Sequence, residues 1–278
     1  MSTKKIVIIV LSILSVLGIC CFNAVKANPN QLRVRQETIR SAKISEDLDG
    51  FLIVFFSDMN YGEFFDRNKL DRLCKTINSF SPDLIVFGGD LLDEIETPMS
   101  QEERDRVQEG LGSLKARYGK FAVLGDEDRL SREKVTNILE EAQFTILDNE
   151  ARTIGVSADA CFSIIGLQNC KNGSPDLSVI SSVNTADYSF LFSHCPDLFD
   201  EVRNYDVDHM CAGHSRNGQV YIPLINFFYR DAGCQKYYRG KSTRNGTTLD
   251  ISNGVGQNGY NIRLNSDPEI VLYKLKSR

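Results

Sequence analysis

The stretch Phe51-Leu52-Ile53-Val54-Phe55-Phe56-Ser57-Asp58-Met59-Asn60 decides the fold. Its apolar run is unbroken from Phe51 to Phe56, the pattern of a strand buried on both faces, and it stops at Ser57-Asp58. Leu84-Ile85-Val86-Phe87 repeats the pattern and stops at Gly88-Gly89-Asp90. Phe121 to Leu124 repeats it again and stops at Gly125-Asp126-Glu127-Asp128. Between these runs, Asn68 to Phe80 carries Leu70, Leu73, Cys74, Ile77 and Phe80 at helical spacing, and Gln101 to Leu114 is a second predicted helix. A strand-helix alternation of this kind predicts an α/β fold with a mostly parallel sheet. Such sheets take ligands beyond the carboxyl ends of their strands, so Asp58, Asp90 and Asp126 are expected to meet in one crevice.

Outward from this core, Gln31 to Ile44 reads as an edge strand, followed by the turn-forming stretch Glu46 to Gly50. Ser131 is the expected cap of a helix through Leu139. Short strands are expected at Phe144 to Leu147, Cys161 to Leu167, Tyr188 to Phe192 and Asp208 to Ala212. The last two end in Ser193-His194 and in Gly213-His214-Ser215-Arg216-Asn217-Gly218. Thr247 to Ile251, Asn261 to Leu264 and Glu269 to Leu275 add strands that suggest a second sheet packed on the first.

The chain has 278 residues, 32 Lys+Arg against 37 Asp+Glu, a net charge of −5 and 42% hydrophobic residues. This composition excludes collagen-like, low-complexity and disordered classes. The acidic balance leaves no electrostatic footprint for nucleic acid. Lys4 and Lys5 precede an uncharged apolar run from Ile6 to Phe22, the layout of an export signal or a short membrane span of about 25 Å. We expect residues 1–30 to be a membrane anchor with the body outside the cytoplasm. Cleavage after Val25-Lys26-Ala27, giving a secreted body, is the alternative. The body, 31–278, falls in the upper size range of one domain. There are 8 cysteines and no Cys-x-x-Cys pair, which excludes zinc-ribbon and thioredoxin readings and favours buried free thiols.

Carboxylates and imidazoles at strand ends suit a borderline divalent ion, Mn, Fe or Zn. Of the 3 histidines, His194 and His214 follow strands directly, whereas His209 lies within one and reads as a core residue. Cys195 and Cys211 read as strand-end packing, and Asp128 and Arg129 as surface-loop residues.

The order of these motifs resembles the calcineurin-like metallophosphoesterase superfamily over nearly all of the chain after Phe51. The family pattern is Asp-x-His, Gly-Asp, Gly-Asn-His-Asp/Glu, a lone His after a strand, and Gly-His-x-His. Here it stands as Asp58-Met59-Asn60, Gly89-Asp90, Gly125-Asp126-Glu127-Asp128, Ser193-His194 and Gly213-His214-Ser215-Arg216. Asn217-Gly218-Gln219-Val220, Ser252-Asn253-Gly254-Val255-Gly256 and Asn261-Ile262-Arg263 before Pro268-Glu269-Ile270 resemble the membrane-associated bacterial branch. The fold implied is a four-layered α-β-β-α sandwich.

Departures from the pattern shape the expected chemistry. The positions that hold one metal in the family are here Asp58, Asn60, Asp90 and Arg216. A guanidinium is always cationic and has no acceptor, so Arg216 cannot ligate an ion. We expect this metal to be lost and Arg216 to replace it, pairing with Asp58 or Asp90. The positions of the second metal are Asp90, Asp126, His194 and His214, and all four residue types can bind a divalent ion. Glu127 stands where the family has a histidine that aids the leaving group. The metal-ligand types are thus Asp58, Asp90, Asp126, His194 and His214, and the expected catalytic side chains are Asn60, Glu127 and Arg216.

Taken with these departures and the N-terminal run, the resemblance leads us to expect a membrane-anchored monomer that hydrolyses phosphate mono- or diesters, lipid or cell-envelope esters among the candidates, with a single divalent ion. The alternative is a non-catalytic binding or scaffold member in which Arg216 replaces one metal.

Overall fold

The computed structural model describes residues 2–93, 99–222, 226–227 and 230–278. Helix α1 (Thr3–Phe22) is followed by β1 (Arg33–Ser41), β2 (Leu52–Phe56), α2 (Arg67–Ser79), β3 (Leu84–Phe87), α3 (Gln101–Gly112), β4 (Lys120–Ala122), α4 (Arg132–Glu141) and β5 (Phe144–Ile146). The second half runs through β6 (Glu150–Gly155), β7 (Cys161–Leu167), β8 (Tyr188–Ser193), the single turn α5 (Phe199–Val202) and β9 (His209–Ala212). After a small ribbon of β10 (Tyr221–Ile222) and β11 (Asn226–Phe227) come β12 (Lys241–Arg244), β13 (Thr247–Ile251) and β14 (Glu269–Ser277).

Two six-stranded sheets result, in the orders β1-β14-β2-β3-β4-β5 and β12-β13-β9-β8-β7-β6. Strands β2 to β5 are mutually parallel, as are β7, β8 and β9. Side chains alternate across each strand, and the alternation assigns the layers. Val54, Phe56, Ile85 and Phe87 pack under Leu70, Leu73, Ile77 and Val107 of the helices. Phe55 and Val86 turn the other way, onto Phe162, Phe190 and Phe192 of the second sheet, with the Phe55 and Phe192 rings stacked 5.9 Å apart. A third cluster, including Ile165, Leu191, Met210 and Phe199, fills the outer face of the second sheet. The architecture is therefore the expected α-β-β-α sandwich, with an outer layer of short helical turns and α5 over the second sheet.

Local chemistry explains the helices. Asp66 caps α2 by accepting from Lys69 N at 3.0 Å, and Leu70, Leu73, Cys74 and Ile77 form its buried stripe. Ser100 and Glu103 make a reciprocal capping box at the start of α3. Helix α4 begins at Arg132 as expected, but Ser131 makes no capping hydrogen bond with its side chain.

Two expectations for the C-terminal tail need correction. Glu269–Ser277 does not join the second sheet: β14 inserts into the first, parallel to β1 and antiparallel to β2. Its buried residues Ile270 to Tyr273 suit a central position there. Residues 261–264 form no strand, only an isolated bridge from Leu264 to Val220. There the Arg263 backbone and side chain hold loops together instead: Arg263 N donates to Ala24 O at 2.8 Å, and its Nη1 donates to the carbonyl of Asn253 at 2.7 Å. The cysteines are free, and Cys74, Cys195, Cys211 and Cys234 are buried. Cys195 packs in the outer cluster and Cys211 between the sheets, as strand-end packing requires. His209 is a core residue, between the rings of Phe190 and Tyr273 at 5.3 and 5.2 Å.

Candidate metal centre

The pairings that align Phe56 with Phe87 and Phe87 with Ala122 bring three strand ends level in the first sheet. Leu167, Ser193 and Ala212 do the same in the second. The loops leaving these ends carry Asp58, Asp90, Asp126, His194 and His214 into one crevice between the sheets. The backbone is held in left-handed conformations at Asp58, Asn60, Asp90, His214 and Arg216, with φ of 54°, 43°, 59°, 66° and 48°. Such angles are costly for residues with a Cβ, and they cluster here because each side chain must turn inward. Gly125 keeps the crevice narrow: a Cβ on it would lie 2.0 Å from Asp90 Oδ1.

One ligand atom from each of Asp90, Asp126, His194 and His214 lies within 4.8 Å of the other three. His194 Nδ1–H donates to Gly88 O at 2.7 Å, and His214 Nε2–H donates to Ala232 O at 2.8 Å. Each bond occupies one ring nitrogen and turns the opposite one, His194 Nε2 and His214 Nδ1, toward the carboxylates, where a divalent ion would displace its proton. His214 Nδ1 is 3.0 Å and His194 Nε2 3.3 Å from Asp126 Oδ1, yet none of these atoms has an aligned hydrogen-bond partner. Short, unaligned contacts among buried donor atoms fit a shared cation better than they fit one another. Among the protein's own charges, burial lowers the two imidazoles, but Asp126 pushes His214 up to about 10 and Asp90 pushes His194 well above its ordinary value. The donor set of two carboxylates and two imidazoles is that of a divalent transition metal.

Asp58 stands apart from this group. Its Oδ2 accepts from Ser57 Oγ at 2.6 Å and from His214 N at 3.1 Å, and its Oδ1 faces Arg216 Nε at 3.6 Å. The Arg216 guanidinium lies among the residues of the substituted position, with Nη2 donating to Asn60 Oδ1 at 2.9 Å and to Asp90 Oδ2 at 3.0 Å. Although burial disfavours its charge, Asp58, Glu127 and Asp90 hold it fully ionised. Glu127 accepts from Asn60 Nδ2 at 2.6 Å and from Asn258 Nδ2. Burial and the Asp90 charge push its carboxyl up to about 8.

The sequence reading missed several residues. Lys171, just past the end of β7, donates to Asp126 Oδ2 at 2.7 Å and to Asp231 at 2.6 Å. Asn172 Nδ2 donates to Asp126 O at 2.9 Å. Asp128 is not a surface residue: at 1% exposure it accepts from the backbone N–H groups of Asp90, Leu91 and Gly125 at 2.8, 2.7 and 2.8 Å. It thereby fixes the turn that aims Asp90. Beside the metal group opens a cavity of about 770 Å³ lined by Asp126, Glu127, Lys171, His214, Arg216 and Asn258, among others.

No family model matches the chain. It is 28% identical over 252 residues to an uncharacterized metallophosphoesterase, YkuE, of Bacillus subtilis, covering 90% of this chain and 87% of the relative. An uncharacterized metallophosphoesterase of Aquifex aeolicus is 27% identical over 259 residues, covering 89% of this chain and 93% of its own length. Phosphodiesterase YaeI of Escherichia coli is 26% identical over 241 residues, covering 85% and 86%. Over nearly its whole length the chain is thus similar to bacterial metallophosphoesterases, in keeping with the calcineurin-like motif order. It has a four-residue group able to hold a metal ion, and carries Asn60, Glu127 and Arg216 where the motif pattern has histidines. Helix α1 is long and apolar enough to cross a membrane, and Ile6 to Leu11, Ile13, Leu14, Ile19 and Phe22 on it are exposed.

Proposed function

We propose that this protein is a membrane-tethered phosphoesterase, one domain over 31–278 held by residues 1–30, that cleaves phosphate mono- or diesters with a single divalent ion. The observation that carries this reading is the paired tautomer lock: the backbone carbonyls of Gly88 and Ala232 hold both imidazoles with a free nitrogen facing Asp90 and Asp126. A divalent ion held by these four residues supplies Lewis-acid polarisation of a phosphoryl oxygen.

The remaining chemistry belongs to the chain. Arg216 supplies the second positive charge, and its five N–H donors suit the oxygens of a phosphoryl group. Asn60 and Asp90 orient the guanidinium from one side. Glu127, with its carboxyl raised by burial, holds a proton for the leaving oxygen and is itself oriented by Asn60 and Asn258. Lys4 and Lys5 ahead of the apolar run support a body outside the cytoplasm, and the reading takes the monomer as the working unit.

The test is elemental analysis of the full-length protein in detergent after Mn²⁺ or Zn²⁺ loading and desalting, followed by assay on chromogenic phosphate mono- and diesters. One ion per chain, with hydrolysis lost in Asp126→Ala, is the expected result. No bound ion, or hydrolysis indifferent to Asp126→Ala, overturns the reading.

A further inference from the structure

Outside the N-terminal segment, the large apolar side chains standing most open to solvent among the described residues are Leu130 at 78%, Tyr260 at 74% and Tyr205 at 38%. Leu130 and Tyr260 both line the cavity beside the metal group, whereas Tyr205 does not. The same cavity is lined by Arg216 and Lys171, so it offers exposed apolar side chains and cations to one ligand.

The position of the anchor bears on that ligand. Just past α1, Ala24 O accepts from Arg263 N at 2.8 Å and Asn28 Nδ2 donates to Arg263 O at 3.0 Å. Pro29 O accepts from Gln257 Nε2 at 3.1 Å. The segment from Gln257 to Arg263 is also the one that contributes Asn258 and Tyr260 to the cavity. One loop therefore grips the end of the apolar helix on one side and forms the cavity rim on the other. The loop that carries Tyr260 is thereby tied to the segment that leaves α1.

We infer that the substrate is an amphiphilic phosphate ester resident in the bilayer, its phosphate beside Arg216 and the metal group and its apolar chain crossing the rim formed by Leu130 and Tyr260. This rests on the phosphoesterase reading above and adds the substrate class. Apolar rim side chains reach the acyl boundary, so the lipid need not leave the membrane for its headgroup to enter the cavity. The cations within oppose the charge of that headgroup.

The chain contains 0 Trp, so a single introduced indole reports on its own position. Full-length Leu130→Trp and Tyr205→Trp proteins are reconstituted into phosphatidylcholine vesicles carrying a phosphatidate, with and without brominated acyl chains. Blue-shifted emission at position 130, quenched severalfold more by bromolipid than emission at 205, is the expected result. Equal exposure of the two positions overturns the proposal.

Separately, hydrolysis of a long-chain and a water-soluble short-chain phosphate ester is compared as a ratio of kcat/KM. Leu130→Ser with Tyr260→Ser lowers that ratio by about tenfold, the scale of losing a few buried methylene contacts, and Tyr205→Ser leaves it unchanged. An unchanged ratio in the rim variant overturns the substrate class. Quenching at position 130 without turnover of either ester overturns the phosphoesterase reading and, with it, the substrate class; the membrane contact of the rim is then all that stands.

Discussion

The guanidinium of Arg216 lies 3.0 Å from the Asp90 carboxylate. Asp90 is also 3.1 Å from His194 Nε2, so one carboxylate faces a fixed organic cation on one side and the metal-ligand group on the other. Asp90 stands where the resembled family bridges two ions, and here one of the charges beside it is covalently part of the chain. A fixed cation cannot be lost to chelators, nor can it lower the pKa of a bound water as a metal does.

Removing that cation tests its role. Arg216→Ala leaves Asp58 and Asp90 as close, buried carboxylates without their counter-charge, and breaking a buried pair of this kind costs about 3–5 kcal/mol. Chemical denaturation of the metal-free protein is expected to show that loss. Replacing both departing positions, Arg216→His with Asn60→His, supplies two imidazoles toward Asp58 and Asp90, and elemental analysis is expected to rise from one ion to two. A stoichiometry still at one in the double variant means that Arg216 is not standing in for an ion.

Asp128 makes a different prediction, because it acts through the backbone. Its carboxylate satisfies three buried N–H groups, and an unmet buried donor costs about 1–3 kcal/mol. Asp128→Ala is expected to lose ~3 kcal/mol or more and to weaken metal affinity by displacing Asp90. Asp128→Asn keeps one oxygen and falls between, measured by thermal melting alongside metal titration. If Asp128→Ala lowers the melting temperature with metal affinity intact, the turn does not depend on this side chain to aim Asp90.

Most of the first sheet was legible because parallel strands buried on both faces leave uninterrupted apolar runs, as at Phe51–Phe56 and Leu84–Phe87, and stop sharply at polar residues. The three aspartates, His194 and His214 were legible for the same reason. What escaped was long-range. The run Glu269 to Leu275 reads as a strand but carries no mark of which sheet it enters, and its central place between β1 and β2 follows from packing alone. Lys171 was readable in principle: Gln168-Asn169-Cys170-Lys171-Asn172 follows β7 just as Ser193-His194 follows β8, and the same strand-end rule reaches it. Asp128 escaped because its partners are backbone amides, which sequence does not distinguish.

Lys171 holds an oxygen of Asp126 that points away from the imidazoles. Its ammonium, kept charged by Asp126 and Asp231 despite desolvation, draws carboxylate charge from the metal group. The lysine end of the pair is one-third exposed, so its worth is ~1 kcal/mol. Lys171→Met is therefore expected to tighten Mn²⁺ binding by roughly fivefold in calorimetric titration while lowering affinity for inorganic phosphate in the adjoining cavity. Weaker Mn²⁺ binding in the variant points instead to a lysine that positions Asp126.

His209 predicts an acid-labile fold independent of the metal group. Burial between Phe190 and Tyr273 lowers its pKa from 6.5 to about 4, against the opposing pull of Asp250. A group whose folded pKa is depressed takes up its proton first in the unfolded chain. Stability tied to His209 is therefore complete above 6.5, declines as the pH falls toward 4, and levels off below. A depression of this size corresponds to about 3 kcal/mol. His209→Leu, of similar volume and without a titrating group, is expected to remove that part of the acid sensitivity. The measurement is the difference in unfolding free energy between parent and variant across this pH range, which cancels the carboxylates common to both. If that difference stays constant with pH, the ring is not held neutral between the sheets.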